Sequence, residues 1–248
     1  MGIDSRIGLR LGGALERARL QMDKARRYSR YRAIYRKFRS QTMIPEQIYI
    51  RNLELCESTS HVQGCVVECG VWRGGMSGGI ADLLGQEREY FLFDSFEGLP
   101  PPEMIDGPDM IECIRDKTPD YRDNCVASQE EAERSMQMSA TKRYRIVKGW
   151  FDKTIPTFTA PNPIAILRLD GDLYDSTMTC LKHLYGQMAQ GGIVILDDYD
   201  YWEGCARATH DFLAEFSRNL LHTPRLRQWA NSVTYMVNSP YGPRGIVS

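Results

Sequence analysis

Six carboxylates in this 248-residue chain recur at one kind of place: Glu68, Asp94, Asp170, Asp172, Asp197 and Asp198 each close, or directly follow, a short apolar run. Asp170-Gly171-Asp172 ends the run Ile164–Asp170, and Asp197-Asp198 ends Ile193–Asp197, 27 and 28 residues after Asp170. On adjacent parallel strands these four acids share one crevice. Like charges that close repel strongly unless a proton or a cation intervenes. A hard divalent cation with oxygen ligands, Mg²⁺ or Ca²⁺, resolves the repulsion. Neither Cys nor His stands in the group, which disfavours a tetrahedral zinc site. Solvated strand-end acids are the plain alternative.

The segment Glu68-Cys69-Gly70-Val71-Trp72-Arg73-Gly74-Gly75 offers a different chemistry. Its glycines let backbone approach a ligand and expose amides where a helix begins. The spacing is E-x-G-x-x-x-G rather than G-x-G-x-x-G, which disfavours a diphosphate grip and suits a cofactor with an amino-acid moiety. Asp94 follows Glu68 by 26 residues, where a carboxylate can accept hydrogen bonds from ribose hydroxyls. Helix-capping acids are the competing explanation for Glu68 and Asp94.

The elements that must position these groups alternate. Strands are expected at 64–70, Tyr90–Asp94, Tyr144–Lys148, Ile164–Asp170, Ile193–Asp197 and near Ser232–Val237. Helices are expected over 46–58, Gly74–Leu84, Ser176–Met188 and 205–217. Continuous apolar strands alternating with helices predict a doubly wound α/β fold whose parallel sheet is covered on both faces. Ligands then sit beyond the carboxyl ends of the strands. Residues 6–40 read as a helix with Tyr28, Tyr31, Tyr35 and Phe38 along one stripe. The expected organisation is a basic helical extension or lid over 1–60 and a Rossmann-like domain over 61–248. An acidic loop at about 97–133, opened by Pro100-Pro101-Pro102, reads as a lid or substrate loop.

The net charge of −1 conceals a split: residues 1–51 carry +9 and the remainder −10. So local a basic segment argues against a nucleic-acid partner, because the rest repels phosphate. No run is long and apolar enough for a membrane-spanning helix, and no apolar core of the secretory kind opens the chain. Seven Cys, an odd number without a C-x-x-C pair, suggest reduced thiols and a cytoplasmic location.

Five motifs together, ECGVWRGG (68–75), DSFEGLP (94–100), GWFDKTIP (149–156), LRLDGDLYDST (167–177) and GGIVILDDYDYWEGC (191–205), closely resemble the macrocin O-methyltransferase, or TylF/MycF-like, family. The resemblance covers about residues 42–217. It implies a class I methyltransferase fold and Mg²⁺-dependent methyl transfer from S-adenosylmethionine to a sugar hydroxyl of a glycosylated natural product or glycan. It further implies that Glu68 and the turn Gly70, Val71, Trp72, Arg73, Gly74, Gly75 hold the methionine end of the cofactor. Asp94 and Ser95 would hold the ribose, Trp150 and Phe151 would border the adenine, and Met43 would lie on the segment entering the site. Asp170, Asp197 and Asp198 would ligate Mg²⁺, with Asp172 as general base beside Asp170. A homodimer is implied by the family alone.

Two other functions fit the same residues: metal-dependent methylation of a catechol-like phenol, and cofactor binding without catalysis. His183 and His210 fall within helices and read as helix-face residues. Tyr199, Tyr201 and Trp202 follow the Asp pair and read either as a stacking surface for substrate or as packing.

Overall fold

The computed structural model describes residues 4–117, 124–139, 141–216 and 224–238. Its centre is one seven-stranded sheet: β1 (Cys65–Cys69), β2 (Tyr90–Asp94), β3 (Tyr144–Lys148), β4 (Ile164–Leu169), β5 (Met188–Leu196), β6 (Arg227–Trp229) and β7 (Val233–Val237). The order is β3-β2-β1-β4-β5-β7-β6. The first five strands are parallel, and β7 runs antiparallel to both of its neighbours. The order reverses between β1 and β4, so the carboxyl ends of those strands open a crevice at the switch point.

Helices cover both faces, as the alternation predicts. On one side lie α1 (Asp4–Phe38), α2 (Glu46–Ser58) and α3 (Gly75–Leu84), whose Tyr31, Ile34, Phe38, Tyr49, Leu53 and Ile80 pack on Val66, Ile166 and Ile195. On the other lie the short α6 (Phe151–Thr154), α7 (Tyr174–Leu184) and α8 (Glu203–Phe216); Met178 and Leu181 of α7 and Phe212 of α8 pack on Val67, Leu167 and Val194. The strand interiors of β1 and β4 are buried throughout, which explains why their sequences are apolar apart from Glu68 and Arg168. β3 is an edge strand and only half-buried.

The last two turns of α1 therefore belong to the core. Tyr31, Ile34 and Phe38 are buried, whereas Leu20, Met22 and Tyr28 on the preceding turns are exposed. A close fit explains this docking: a Cβ on Gly78 would stand 2.5 Å from the Phe38 ring, and one on Gly79 would stand 1.9 Å from the Tyr49 hydroxyl. Glycine on this face of α3 lets α1 and α2 come into contact with it.

Several boundaries differ from the sequence expectation. The acidic segment is not one long loop. It contains a 3₁₀ turn at Met104–Asp106, α4 (Pro108–Asp116) and the start of α5 (Gln129–Met138), while its residues 118–123 lie outside the described region. The Gly107-Pro108 start and a Ser128/Glu131 capping box supply the helix signals. β5 begins at Met188 rather than Ile193, because Gly191-Gly192 sits in an irregularity within the strand: Ile164 pairs with Met188, but Ile166 pairs with Ile193. α7 correspondingly starts at Tyr174 and ends at Leu184, not at 176 and 188. The three-residue β6 went unpredicted, since so short a polar edge strand has no periodicity to read.

Candidate active site

The backbone ladder continues one residue past the strands and sets the acids side by side. Gly70 N donates to Phe93 O (2.9 Å), Asp170 N to Cys69 O (2.9 Å) and Asp197 N to Leu169 O (3.0 Å). Around these ends lies an open crevice of about 630 Å³, lined by Met43, Gly70, Trp72, Asp94, Ser95, Trp150, Phe151, Asp170 and Asp172, with Cys125 and Ser176 among the other walls. Glu68, Val71, Arg73, Gly74, Gly75, Asp197 and Asp198 are not among its lining residues.

The turn after β1 is held from two sides. Gly70 has φ +86°, and a Cβ there would stand 1.7 Å from the carbonyl oxygen of Asp170, so the β1 and β4 turns touch through this glycine. Asp94 Oδ2 accepts hydrogen bonds from the N–H groups of Val71 (2.8 Å) and Trp72 (2.9 Å), and Oδ1 from Phe96 N (2.7 Å). Burial raises the Asp94 pKa, and these three backbone donors offset it only in part. Asp94 thus shapes the glycine turn as well as facing the crevice. Arg73 points to α5, where Nε lies 3.0 Å from Glu131 Oε1, and its guanidinium stacks over the Trp72 ring.

The acids of β4 and β5 form a tighter group. One carboxylate oxygen from each of Asp170, Asp197 and Asp198 lies within 4.8 Å of the others. At such a distance each pair of like charges costs about 3–4 kcal/mol in a partly buried setting of effective dielectric ~20. Asp198 is buried and accepts the backbone N–H of Asp172 at Oδ2 (3.0 Å). Its pKa is pushed well above the usual carboxylate range by burial and by Asp172, Asp170 and Asp197. Asp170 keeps 31% of its side-chain surface open to the crevice. Even so, desolvation carries it up to about 8; Arg168 opposes this while Asp197 and Asp172 add to it. All-oxygen donors, close together and short of positive charge, are the donor chemistry of a hard divalent cation. Asp172 stands on the turn between β4 and α7, buried, with φ +57°.

Sequence reasoning missed two residues here. Arg168 lies in the middle of β4 with no exposed surface. Its Nη1 is 2.7 Å from both Glu68 Oε1 and Asp170 Oδ2, and its Nη2 is 2.7 Å from Asp197 Oδ1. Glu68 and Arg168 are register partners on neighbouring strands. Glu68 also accepts a hydrogen bond from Ser77 Oγ on α3, so it is enclosed beneath the turn and does not face the crevice. The available signal was a lone arginine inside the apolar run Ile164–Leu169. The second is Asp106 of the acidic segment. It is buried, accepts Tyr174 N at Oδ1 (2.7 Å) and Glu103 N at Oδ2 (2.7 Å), and so caps the start of α7 beside Asp172. Arg207 Nη1 donates to Ile105 O (2.9 Å) and fastens the same segment to α8.

His183 and His210 take no part in the crevice lining; His210 Nε2 lies 2.9 Å from the Tyr199 hydroxyl. Tyr201 is exposed. No helix of the described residues is long and apolar enough to cross a membrane.

Comparison with known proteins places these features in a family. The demethyldecarbamoylnovobiocin O-methyltransferase of Streptomyces niveus is 36% identical over 165 residues, which is 63% of this chain and 61% of that protein. The mycinamicin III 3''-O-methyltransferase of Micromonospora griseorubida is 33% identical over 174 residues, 66% of each chain. The matched stretches thus span less than two thirds of these curated relatives. Among solved structures, the O-methyltransferase NovP superposes with a TM-score of 0.64 at 30% identity, over 80% of this chain and 82% of that one. The calicheamicin methyltransferase CalS11 shares the fold at a TM-score of 0.55 and 22% identity, over 84% of this chain and 91% of that one. The sheet and its helices are those of a class I methyltransferase. The model of the macrocin O-methyltransferase (TylF) family matches residues 14–224, and the chain belongs to that family.

Proposed function

We propose that the protein transfers a methyl group from S-adenosylmethionine to a sugar hydroxyl of a glycosylated natural product, with Mg²⁺ held by Asp170, Asp197 and Asp198. The observation that carries this reading is the single crevice shared by Gly70, Trp72, Asp94, Trp150 and Phe151 on one side and by Asp170 and Asp172 on the other. It brings a glycine turn and aromatic walls, suited to the cofactor, next to an acid cluster suited to an acceptor diol. By their own names the relatives above act on demethyldecarbamoylnovobiocin and on the 3'' position of mycinamicin III, and family membership supports a substrate of that class here.

When bound, the sulfonium cofactor supplies the methyl group and the divalent cation supplies Lewis acidity toward neighbouring hydroxyls. The chain's own residues do the rest. The glycine turn, shaped by Asp94, receives the methionine end of the cofactor, while Asp94 and Ser95 face its ribose. Trp150 and Phe151 border the adenine, and Met43 covers the entrance. Asp172 accepts the proton of the attacking hydroxyl; its place on the β4 turn, beside Asp170 and Asp198, aims it at the same point. Alignment of donor and acceptor in one crevice provides much of the rate gain of an in-line displacement. A homodimer and a cytoplasmic location belong to the same reading.

The test is transfer of label from methyl-labelled S-adenosylmethionine to a panel of glycosylated metabolites, vicinal-diol sugars and catechols, read by mass spectrometry. Mg²⁺-dependent labelling of a sugar hydroxyl is expected. Labelling of catechols alone would overturn the substrate class, and labelling of nothing, with cofactor bound, would overturn catalysis.

A further inference from the structure

We infer that Arg168 decides which divalent cation the acid cluster accepts, favouring Mg²⁺ over Ca²⁺ by engaging one oxygen of Asp170 and one of Asp197. The inference rests on the metal-holding role proposed for those acids. It starts from a count of oxygens. Arg168 Nη1 donates a hydrogen bond to Asp170 Oδ2, and Nη2 forms an ion pair with Asp197 Oδ1 without an aligned hydrogen bond, each at 2.7 Å. Asp198 Oδ2 accepts the backbone N–H of Asp172 at 3.0 Å. Each of the three acids thus has one oxygen engaged by the protein and offers the other.

Three single oxygens suit one ion better than the other. Mg²⁺ takes six ligands in a near-ideal octahedron and keeps several waters, so three carboxylate oxygens leave room for water or substrate hydroxyls. Ca²⁺ takes six to eight oxygens and uses carboxylates in bidentate fashion. The guanidinium prevents that at Asp170 and Asp197. It is rigid and planar, has no exposed surface, and bears on Glu68 as well, so it cannot swing away. Glu68, itself closed off by the Ser77 hydroxyl, balances the charge of Arg168 without facing the cluster. Arg168 is accordingly a positioning residue. A lysine in its place keeps the charge but has a single ammonium, which cannot reproduce the fork to both aspartates.

Calorimetric titration of the full chain with MgCl₂ and, separately, CaCl₂ tests this without any turnover. The parent protein is expected to bind Mg²⁺ more tightly than Ca²⁺. In Arg168→Lys the ratio of the two dissociation constants should move toward Ca²⁺ by about tenfold or more. The double variant Arg168→Met/Glu68→Gln removes the buried pair together and avoids leaving one charge stranded, so it guards against a single variant that fails to fold. It should show the same move. General loosening of the site weakens both ions in parallel and leaves the ratio unchanged. A ratio within twofold of the parent's, in a variant folded by circular dichroism, would overturn the role of Arg168 while leaving the metal site standing. A parent that binds neither ion would overturn the metal site and this inference with it.

Discussion

Asp106 Oδ1 accepts a hydrogen bond from the backbone N–H of Tyr174 at 2.7 Å. A residue of the acidic segment therefore fastens the first turn of the helix that follows Asp170-Gly171-Asp172. The insertion is anchored where the acids project, and its position is coupled to theirs.

Replacing Asp106 by Ala leaves the partly buried N–H groups of Tyr174 and Glu103 without their acceptor. Loss of such a cap costs about 1–2 kcal/mol. The urea midpoint should fall accordingly, and kcat should drop several-fold as the turn bearing Asp172 loosens. Affinity for S-adenosylhomocysteine, measured by calorimetry, should change less than twofold, because Asp106 lies away from the glycine turn. Equal losses in both quantities would mean that Asp106 supports the whole fold rather than this turn.

Asp94 predicts the opposite pattern. Its carboxylate collects three backbone N–H groups, two of them from the glycine turn. Asp94→Ala should raise the dissociation constant for S-adenosylhomocysteine more than tenfold while leaving Mg²⁺ affinity near that of the parent. Asp94→Asn, which keeps one carbonyl oxygen, should fall between the two. Unchanged cofactor affinity in Asp94→Ala would separate the shape of the turn from cofactor binding.

Asp172 and Asp198 divide proton transfer from metal binding. A positioned general base contributes about 10²–10⁴-fold to rate. Asp172→Asn should lose turnover on that scale with near-normal cofactor affinity, and retained turnover would remove Asp172 as the base. Asp198→Ala should weaken Mg²⁺ binding in a calorimetric titration. An undiminished affinity would show that Asp198 is not a ligand.

Cys125 reports its own burial first and the acid cluster second. Burial pushes its thiol up to about 12, with Asp172, Asp170, Asp198 and Asp94 adding to the shift. A raised pKa means less thiolate at any given pH, so at pH 8 only about 10⁻⁴ of the group is reactive, against roughly a quarter for an ordinary thiol. Iodoacetamide labelling of Cys125, followed by peptide mass spectrometry, should be slow at pH 8. It should still be accelerating at pH 10, without the plateau near pH 9 of an ordinary thiol. A plateau there would contradict the raised pKa.

The strands and the acids at their ends were legible in the sequence because both are local. A buried parallel strand needs a largely apolar run, and Tyr90–Asp94 and Cys65–Cys69, the latter broken only by Glu68, have one. The glycine turn was legible for the same reason, since a tight turn demands glycine at the residue itself. What failed was also systematic. β5 starts five residues before its apolar run because an irregularity accommodates Gly191-Gly192, and α4 was hidden inside a stretch that composition alone marked as a loop.

By itself, then, the sequence determined the element types apart from α4 and β6, the placement of Glu68, Asp94, Asp170, Asp172, Asp197 and Asp198 near strand ends, and the family. Only the tertiary structure decided how these acids divide their tasks. Glu68 and Asp94 look alike in sequence, each an acid closing or nearly closing an apolar strand. Folding buries Glu68 against Arg168 and Ser77, and turns Asp94 toward the glycine turn and the crevice. Arg168 meets Glu68 across 100 positions of chain, and Asp106 meets Tyr174 across 68. The task of a carboxylate depends on which donors surround it and how much water remains. Those partners are brought together by strand order and helix packing, which no local pattern encodes.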